Sequence, residues 1–413
     1  MTDLSPSLVN DASANEASFH LNELFYSRTD TRGVIRAGNS VFHRVAGFEW
    51  EELIGAPHKI VRHPDMPRGL FHLMWERIKD GRPTGAYVKN RRKCGRFYWV
   101  FALVSPTEGG YISTRIKPSS PLHRMVTELY AEMARREQAQ GVSPADSAAW
   151  LRATLREKGY PNYEMFQADA IAAEYEARAR QLGQPVGQVQ KRFLDMSRAI
   201  GEVQRETSEM TEAFKAIRTV PMNMRLIASR LENAGGPISA ISVNYSQMLE
   251  EMTTWVNTFV DGEACVFAKI RDAIRLGQFL GFASVVEKEM IEIFQEIEAS
   301  YPDSIDIGAE VALLEEHRKM YLDMTGDALM SVEREARRFA RSVLDMKRYV
   351  TGLSSTRMMC KIESATLSGS GTALNGIVEQ LDDCQNEIEQ RLARIVELNS
   401  VIQNNTAMLR SLI

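Results

Sequence analysis

Between Pro57 and Pro67 the chain places His58, Arg62, His63 and Asp65 close together in a run punctuated by three prolines. Guanidinium and imidazole groups held in such a loop can offer charge-assisted donors to a pyrophosphate, and Asp65 can orient one of them. An Arg62–Asp65 pair that merely pins the loop is the competing reading. Asn39 and Asn90 carry amides able to meet the donor and acceptor edge of a heteroaromatic ring inside an apolar pocket. Trp75 and Trp99, with Phe42 and Phe71, can wall such a pocket, although core packing accounts for each aromatic taken alone.

These residues fall in a segment that switches rapidly between short β-rich and short helical runs from Asn22 to Lys117, with Gly33, Gly47, Gly55, Gly81, Gly95 and Gly109-Gly110 as punctuation. Leu24–Tyr26 and Gly33–Arg36 suit a hairpin around the Thr29–Gly33 turn, and Tyr87–Lys93, Phe97–Ser105 and Tyr111–Lys117 suit three further strands. The expected plan is α+β: five antiparallel strands with helices between the second and third.

Within this segment stand Ser27-x-Thr-Asp-x-x-Gly33, Gly47-Phe48, Glu52-Leu-Ile-Gly55, Pro57-His58, Val61-Arg-His-Pro-Asp-Met-Pro67, Val88-Lys-Asn-Arg-Arg-Lys93, Gly95 and Tyr98-Trp99. In these residues the chain resembles the PAS domain of bacterial aerotaxis receptors, over roughly residues 18–119. The resemblance implies a PAS fold that binds FAD and senses oxygen indirectly through the redox state of the flavin. It also implies flavin-binding roles for Arg62 and His63. One departure stands out: where the family pattern has a Trp after Gly-x-Pro, this chain has Thr84, which removes a stacking contact. Haem b is the rival cofactor, because PAS domains can hold it through one axial histidine and His58, His63 and His72 are available. Light-oxygen-voltage domains keep their reactive cysteine on a helix facing the flavin, whereas Cys94 lies in a turn between strands.

Beyond Pro118 and Pro121 the composition moves to Glu, Gln, Arg, Ala and Met, and helix takes over. From Val189 to Leu231 apolar residues recur at alternating four- and three-residue steps, the period of a supercoiled helix pair. The steps resume after Gly235-Gly-Pro237 from Ile238 to Phe259, which predicts an antiparallel hairpin. Pro221 inside the first seam demands a kink. The residues around the turn, Asn223 to Ser242, are faintly similar to the signalling tip of methyl-accepting chemotaxis receptors, in shortened form and without the Ala-Gly-Glu element. That similarity implies the chemotaxis histidine kinase and its coupling protein as partners. A break at Ser300–Asp303 precedes a charged helix, Thr366–Thr372 reads as a linker, and the last helix carries a seam on which Arg391 and Asn405 are polar. Such polar seam positions set register or partner number, which favours a homo-oligomer over helices folded back within one chain.

The expected organisation is therefore a disordered tail over 1–17, a PAS sensor domain over 18–119, a helical linker over 120–162, a degenerate chemoreceptor-like coiled-coil hairpin over 163–300 and a helical coiled-coil region over 301–413. The sum of 50 Lys+Arg against 54 Asp+Glu excludes a general nucleic-acid binder. No window approaches a membrane span, and four cysteines without paired spacing point to reduced thiols in the cytoplasm. No P-loop, kinase glycine motif or other catalytic wiring is present, and His317 reads as a solvated surface histidine. The expectation is a cytoplasmic redox or oxygen sensor with a coiled-coil output and no enzymatic activity. The alternative is a haem-binding or cofactor-free PAS interaction scaffold.

Overall fold

A computed structural model describes residues 15–229, 235–260, 265–296, 301–366 and 371–413. Most of the tail expected over 1–17, the centre of the hairpin turn at 230–234, Ser300 and the middle of the 366–372 linker lie outside the described residues.

Five strands, β1 (Phe25–Asp30), β2 (Ile35–Gly38), β3 (Thr84–Arg91), β4 (Phe97–Thr107) and β5 (Gly110–Ile116), form one antiparallel sheet in the order β2-β1-β5-β4-β3. Asp30 closes the first hairpin by accepting the amides of Arg32 and Val34 at 2.9 and 3.0 Å. Those bonds, the Val34 amide foremost, lower its carboxyl to a pKa of about 2. Gly33 turns the chain at φ +77°, and the edge of Trp75 lies 3.6 Å from where a β-carbon would stand. Between β2 and β3 run α1 (Ser40–Ala46), α2 (Trp50–Leu53), a 3₁₀ turn at His58–Val61 and α3 (Arg68–Lys79). The sheet and the helices between its second and third strands are those expected from the sequence.

The chain divides into two compact units, residues 1–190 with 275–325, and residues 191–274 with 326–413. The segments expected at 120–162, 163–300 and 301–413 do not coincide with these units. Helical periodicity marks a buried face without saying which distant helix covers it.

In the first unit the sheet has two unlike faces. One meets the 3₁₀ turn and α3. The other is covered by α4 (Leu122–Gln140), by α6 (Tyr163–Gln181) and by the 275–325 stretch, which holds the later part of α10 (Val266–Glu296) and the first turns of α11 (Ile307–Thr366); α5 is Pro144–Glu157. Gly85 of β3 lets Phe279 approach, since an added β-carbon would meet Phe101 at 2.8 Å and Phe279 at 3.0 Å. Polar ties fasten this covered face. Tyr87 donates to Glu174 at 2.7 Å, and Tyr26 and Arg28 both donate to Glu310, at 2.6 Å and at 2.6 to 3.0 Å. Ser105 bonds Tyr321. His317, expected on the surface, is instead 4% exposed and bonds Glu287 at 2.5 Å. Its ring packs against Tyr321, so it belongs to the helix–sheet interior and not to solvent. Burial pushes the Glu287 carboxyl up, with His317 opposing.

The second unit carries the seams. Phe193, Met196, Ile200, Val203, Met210, Phe214 and Ile217 of α7 (Gln188–Ile217) are buried, as are Ile377, Leu381, Ile388, Ile395, Leu398 and Ile402 of α12 (Gly371–Leu412). Pro221 sits where α7 has ended and α8 (Val220–Ala228) begins, at a position that needs no amide donor. Gly235–Pro237 lie in the first turn of α9 (Gly235–Phe259). The polar seam positions are satisfied within the chain: Arg391 pairs with Glu206, Glu209 and Glu387, and Asn405 accepts from Arg192 at 3.1 Å. Among the described residues no helix is long and apolar enough to cross a membrane.

Candidate functional site

A cavity of about 350 Å³ lies between the other face of the sheet and the segment carrying the 3₁₀ turn and α3. Strand alternation supplies its floor: Ser27 and Thr29 of β1, Val88 and Asn90 of β3, Ala102 and Val104 of β4, and Tyr111, Ser113 and Arg115 of β5. Helical spacing supplies its roof, with Phe71, Met74, Trp75 and Ile78 on one side of α3. Its volume lies within the usual range for small-molecule sites.

The lining is apolar with a basic rim. Arg32, Lys59, Arg62 and Arg115 reach it, and among the described residues no Asp or Glu lines it. Arg62 places its guanidinium 3.8 Å from the Phe71 ring centroid and donates to the Met66 carbonyl at 3.3 Å; burial lowers its pKa. Trp75 meets Tyr111 edge-on at 5.2 Å. At the floor, Arg115 donates from Nη2 to Ser27 Oγ at 2.6 Å and to His58 Nε2 at 2.8 Å. Burial and the Arg115 charge hold His58 down to a pKa of about 3, so its ring is neutral and accepts through Nε2. Burial likewise brings Arg115 down to about 10, which leaves it charged at neutral pH. Two buried donors of the floor, Arg115 Nη1 and Ser113 Oγ, have no partner among the described residues. Natural proteins rarely leave such groups unsatisfied without a ligand, water or ion to meet them.

Five of the residues singled out in the sequence line this cavity: His58, Arg62, Phe71, Trp75 and Asn90. Others do not. Asn39 is the N-cap of α1, wholly buried, accepting the amides of Phe42 and Tyr26 and donating to the Leu24 carbonyl, so every polar atom serves the fold. Asp65 is exposed and pairs with Lys89 at 2.7 Å, not with Arg62. His63 accepts the Asp65 amide through Nδ1 and packs edge-on to Phe97, away from the cavity. Trp99 points to the covered face, against His123 and Tyr130. Thr84 accepts from Arg77 at 3.1 Å and does not reach the cavity. The sequence reading missed Arg115 and Ser113. The signal that points to them is the two-residue alternation Tyr111, Ser113, Arg115, in which a cation sits on a strand otherwise flanked by buried residues.

The donor set fits an electron-rich, heteroaromatic anion. It does not fit haem. Among the described residues His58 is the only histidine lining the cavity and its Nε2 is engaged by Arg115, His63 lies elsewhere and His72 is exposed. Cys94 is exposed in the β3–β4 turn, so no cysteine faces the cavity for adduct formation.

A profile described as the PAS fold matches residues 37–112. This part of the chain is a PAS domain. Its sequence is 43% identical over 109 residues to the aerotaxis receptor of Escherichia coli (strain K12), a match covering 25% of this chain and 22% of the receptor. The chain therefore matches about a fifth of that relative's length. Similar solved structures include the LOV domain from the Erythrobacter litoralis EL346 blue-light activated histidine kinase, at 14% identity and TM-score 0.20, covering 22% of this chain and 90% of that domain. The dark-state Aureochrome1 LOV domain matches at 20% identity and TM-score 0.21, covering 34% of this chain and 99% of that one.

Proposed function

We propose that this chain is a cytoplasmic redox sensor that holds FAD in the PAS cavity and passes the state of the flavin to a helical output. The observation that carries this reading is a cavity with a basic rim, no carboxylate among its described lining residues, and two buried donors on its floor without a partner among the described residues. The aerotaxis receptor match over the same segment supports it. When bound, FAD would supply reversible electron transfer responsive to oxygen. The chain's own residues do the rest. Asn90, Ser113 and Arg115 meet the polar edge of the ring, Trp75 and Phe71 exclude water from its faces, and Arg62, Lys59 and Arg32 neutralise the phosphates nearer the rim.

The output begins at the sheet. Ser27 and Thr29 line the cavity while Arg28 between them holds Glu310, and Val104 lines it while Ser105 holds Tyr321. A change in hydrogen bonding at the floor therefore acts on strands whose opposite face is tied to helices. The proposed receivers are the chemotaxis histidine kinase and its coupling protein, engaged by a homo-oligomer through its helices. Co-sedimentation with both proteins, compared between oxidised and reduced samples, tests this; recovery of the chain in the supernatant alone removes it.

The cofactor is tested by the absorption spectrum of the purified protein before and after anaerobic reduction, with chromatography of the released cofactor. Blue and near-ultraviolet flavin bands that bleach on reduction, and release of FAD, are expected. A Soret band, or no uptake of added FAD, defeats the reading and leaves a haem protein or a cofactor-free scaffold.

A further inference from the structure

Arg115 is 4% exposed and, among the described residues, carries no ion pair and faces a cavity whose lining holds no carboxylate. Its Nη2 is committed to Ser27 Oγ and His58 Nε2, at 2.6 and 2.8 Å, while Nη1 is buried and has no partner among the described residues. We propose that Arg115, oriented by His58 and Ser27, is the specificity residue that makes this cavity prefer the reduced, negatively charged form of the bound ring over the neutral oxidised form. This rests on flavin being the occupant.

Among the described residues no group cancels the charge. His58 is neutral and accepts from the guanidinium, so it orients Arg115 without compensating it. Tyr98, buried close by on the same strand face as Ala102 and Val104, has its pKa raised by burial and stays an uncharged phenol. Glu310 is on the covered face and is consumed by Arg28 and Tyr26. A guanidinium removed from water and lacking a counter-ion attracts negative charge far more strongly than one at the surface. The neutral oxidised ring offers it a carbonyl dipole. Two electrons and one proton, from an external reductant and solvent, convert that ring to a species with a full negative charge. The difference in interaction between these two forms is a difference in binding, and by linkage it is a rise in midpoint potential. Each tenfold preference for the reduced form is worth about 30 mV in a two-electron couple.

The test uses the full-length chain loaded with FAD and titrated anaerobically with dithionite against a reference dye. The bound midpoint is expected above that of free FAD under the same conditions. Arg115→Met is expected to lose at least about tenfold of the preference, lowering the midpoint by about 30 mV or more, while Arg115→Lys retains most of it. A bound midpoint at or below that of free FAD overturns the inference on the wild-type protein alone, whether or not the Met variant folds. Equal midpoints for wild type and Arg115→Met also overturn it. A wild-type chain that takes up no FAD overturns the flavin reading itself, and that outcome is distinct from either of these.

Discussion

Replacing Glu310 by alanine should loosen the covered face of the sheet and, through it, the cavity. Glu310 is 3% exposed and receives three hydrogen-bonding contacts from Arg28, between 2.6 and 3.0 Å, and one from Tyr26 at 2.6 Å. The substitution strands the Tyr26 hydroxyl, whose residue is 0% exposed, and leaves the Arg28 guanidinium without its partner. Breaking a fully buried ion pair from one side costs about 3–5 kcal/mol. The Arg28 side chain keeps 33% of its surface in water, which argues for the lower end, about 3 kcal/mol. Native-state amide hydrogen exchange on the full chain reads this directly. At about 1.4 kcal/mol per tenfold, protection of amides in β1 and in the first turns of α11 should fall by about two orders of magnitude. Amides of α12, in the other unit, should be unchanged. Because Ser27 and Thr29 flank Arg28 on the cavity side, FAD affinity should fall as well. A loss of protection below about threefold would refute the claim that this ion pair holds sheet and helix together.

Asn90→Ala should weaken FAD binding by about tenfold or more, the usual effect of deleting a buried hydrogen bond to a ligand, with little change in thermal stability. Isothermal titration separates the two. Asn39→Ala should do the reverse, costing about 2 kcal/mol through loss of a helix cap and a strand tie, with FAD affinity measured well below the melting range changed less than about threefold. His58 has a folded pKa of about 3 against 6.5 in the unfolded chain, so below pH 6.5 the unfolded state binds the extra proton. Stability from this residue is complete above 6.5 and is lost as pH falls, by about 2 kcal/mol on reaching pH 5. His58→Gln should flatten that part of the urea-denaturation profile, and an unchanged slope would exclude His58 as its source.

Part of the candidate site was legible because its signals are local. His58, Arg62, Trp75 and Asn90 were found by residue type and close spacing, and the structure brings them to one cavity. Trp99 shows where that method stops. Alternation along β4 establishes that Trp99 and Ala102 face opposite ways. Nothing in the alternation says which of two faces, both buried here, holds the cavity. Asn39 shows another limit, since a buried amide that caps a helix and one that greets a ligand have the same sequence signature. Arg115 was missed because a lone arginine on a strand is ordinary until its neighbours are known. Its importance comes from the absence of any acid around it, which only the folded arrangement of four strands and α3 defines.

The sequence by itself determined the five-strand α+β domain, the change to helix beyond Pro118 and the spacing of the helical seams. Turn glycines, strand alternation and apolar periodicity are set by neighbours within a few residues. Only the tertiary structure decided what covers the sheet. That a stretch from Arg275 to Thr325 joins the PAS domain, and that Glu310 answers Arg28 across 282 residues of sequence, depends on which buried faces find each other in the collapsed chain. Helical periodicity specifies that a face must be buried and leaves its partner open, because burial of apolar area is non-directional. The choice of partner is made by the few buried polar groups that must be satisfied together.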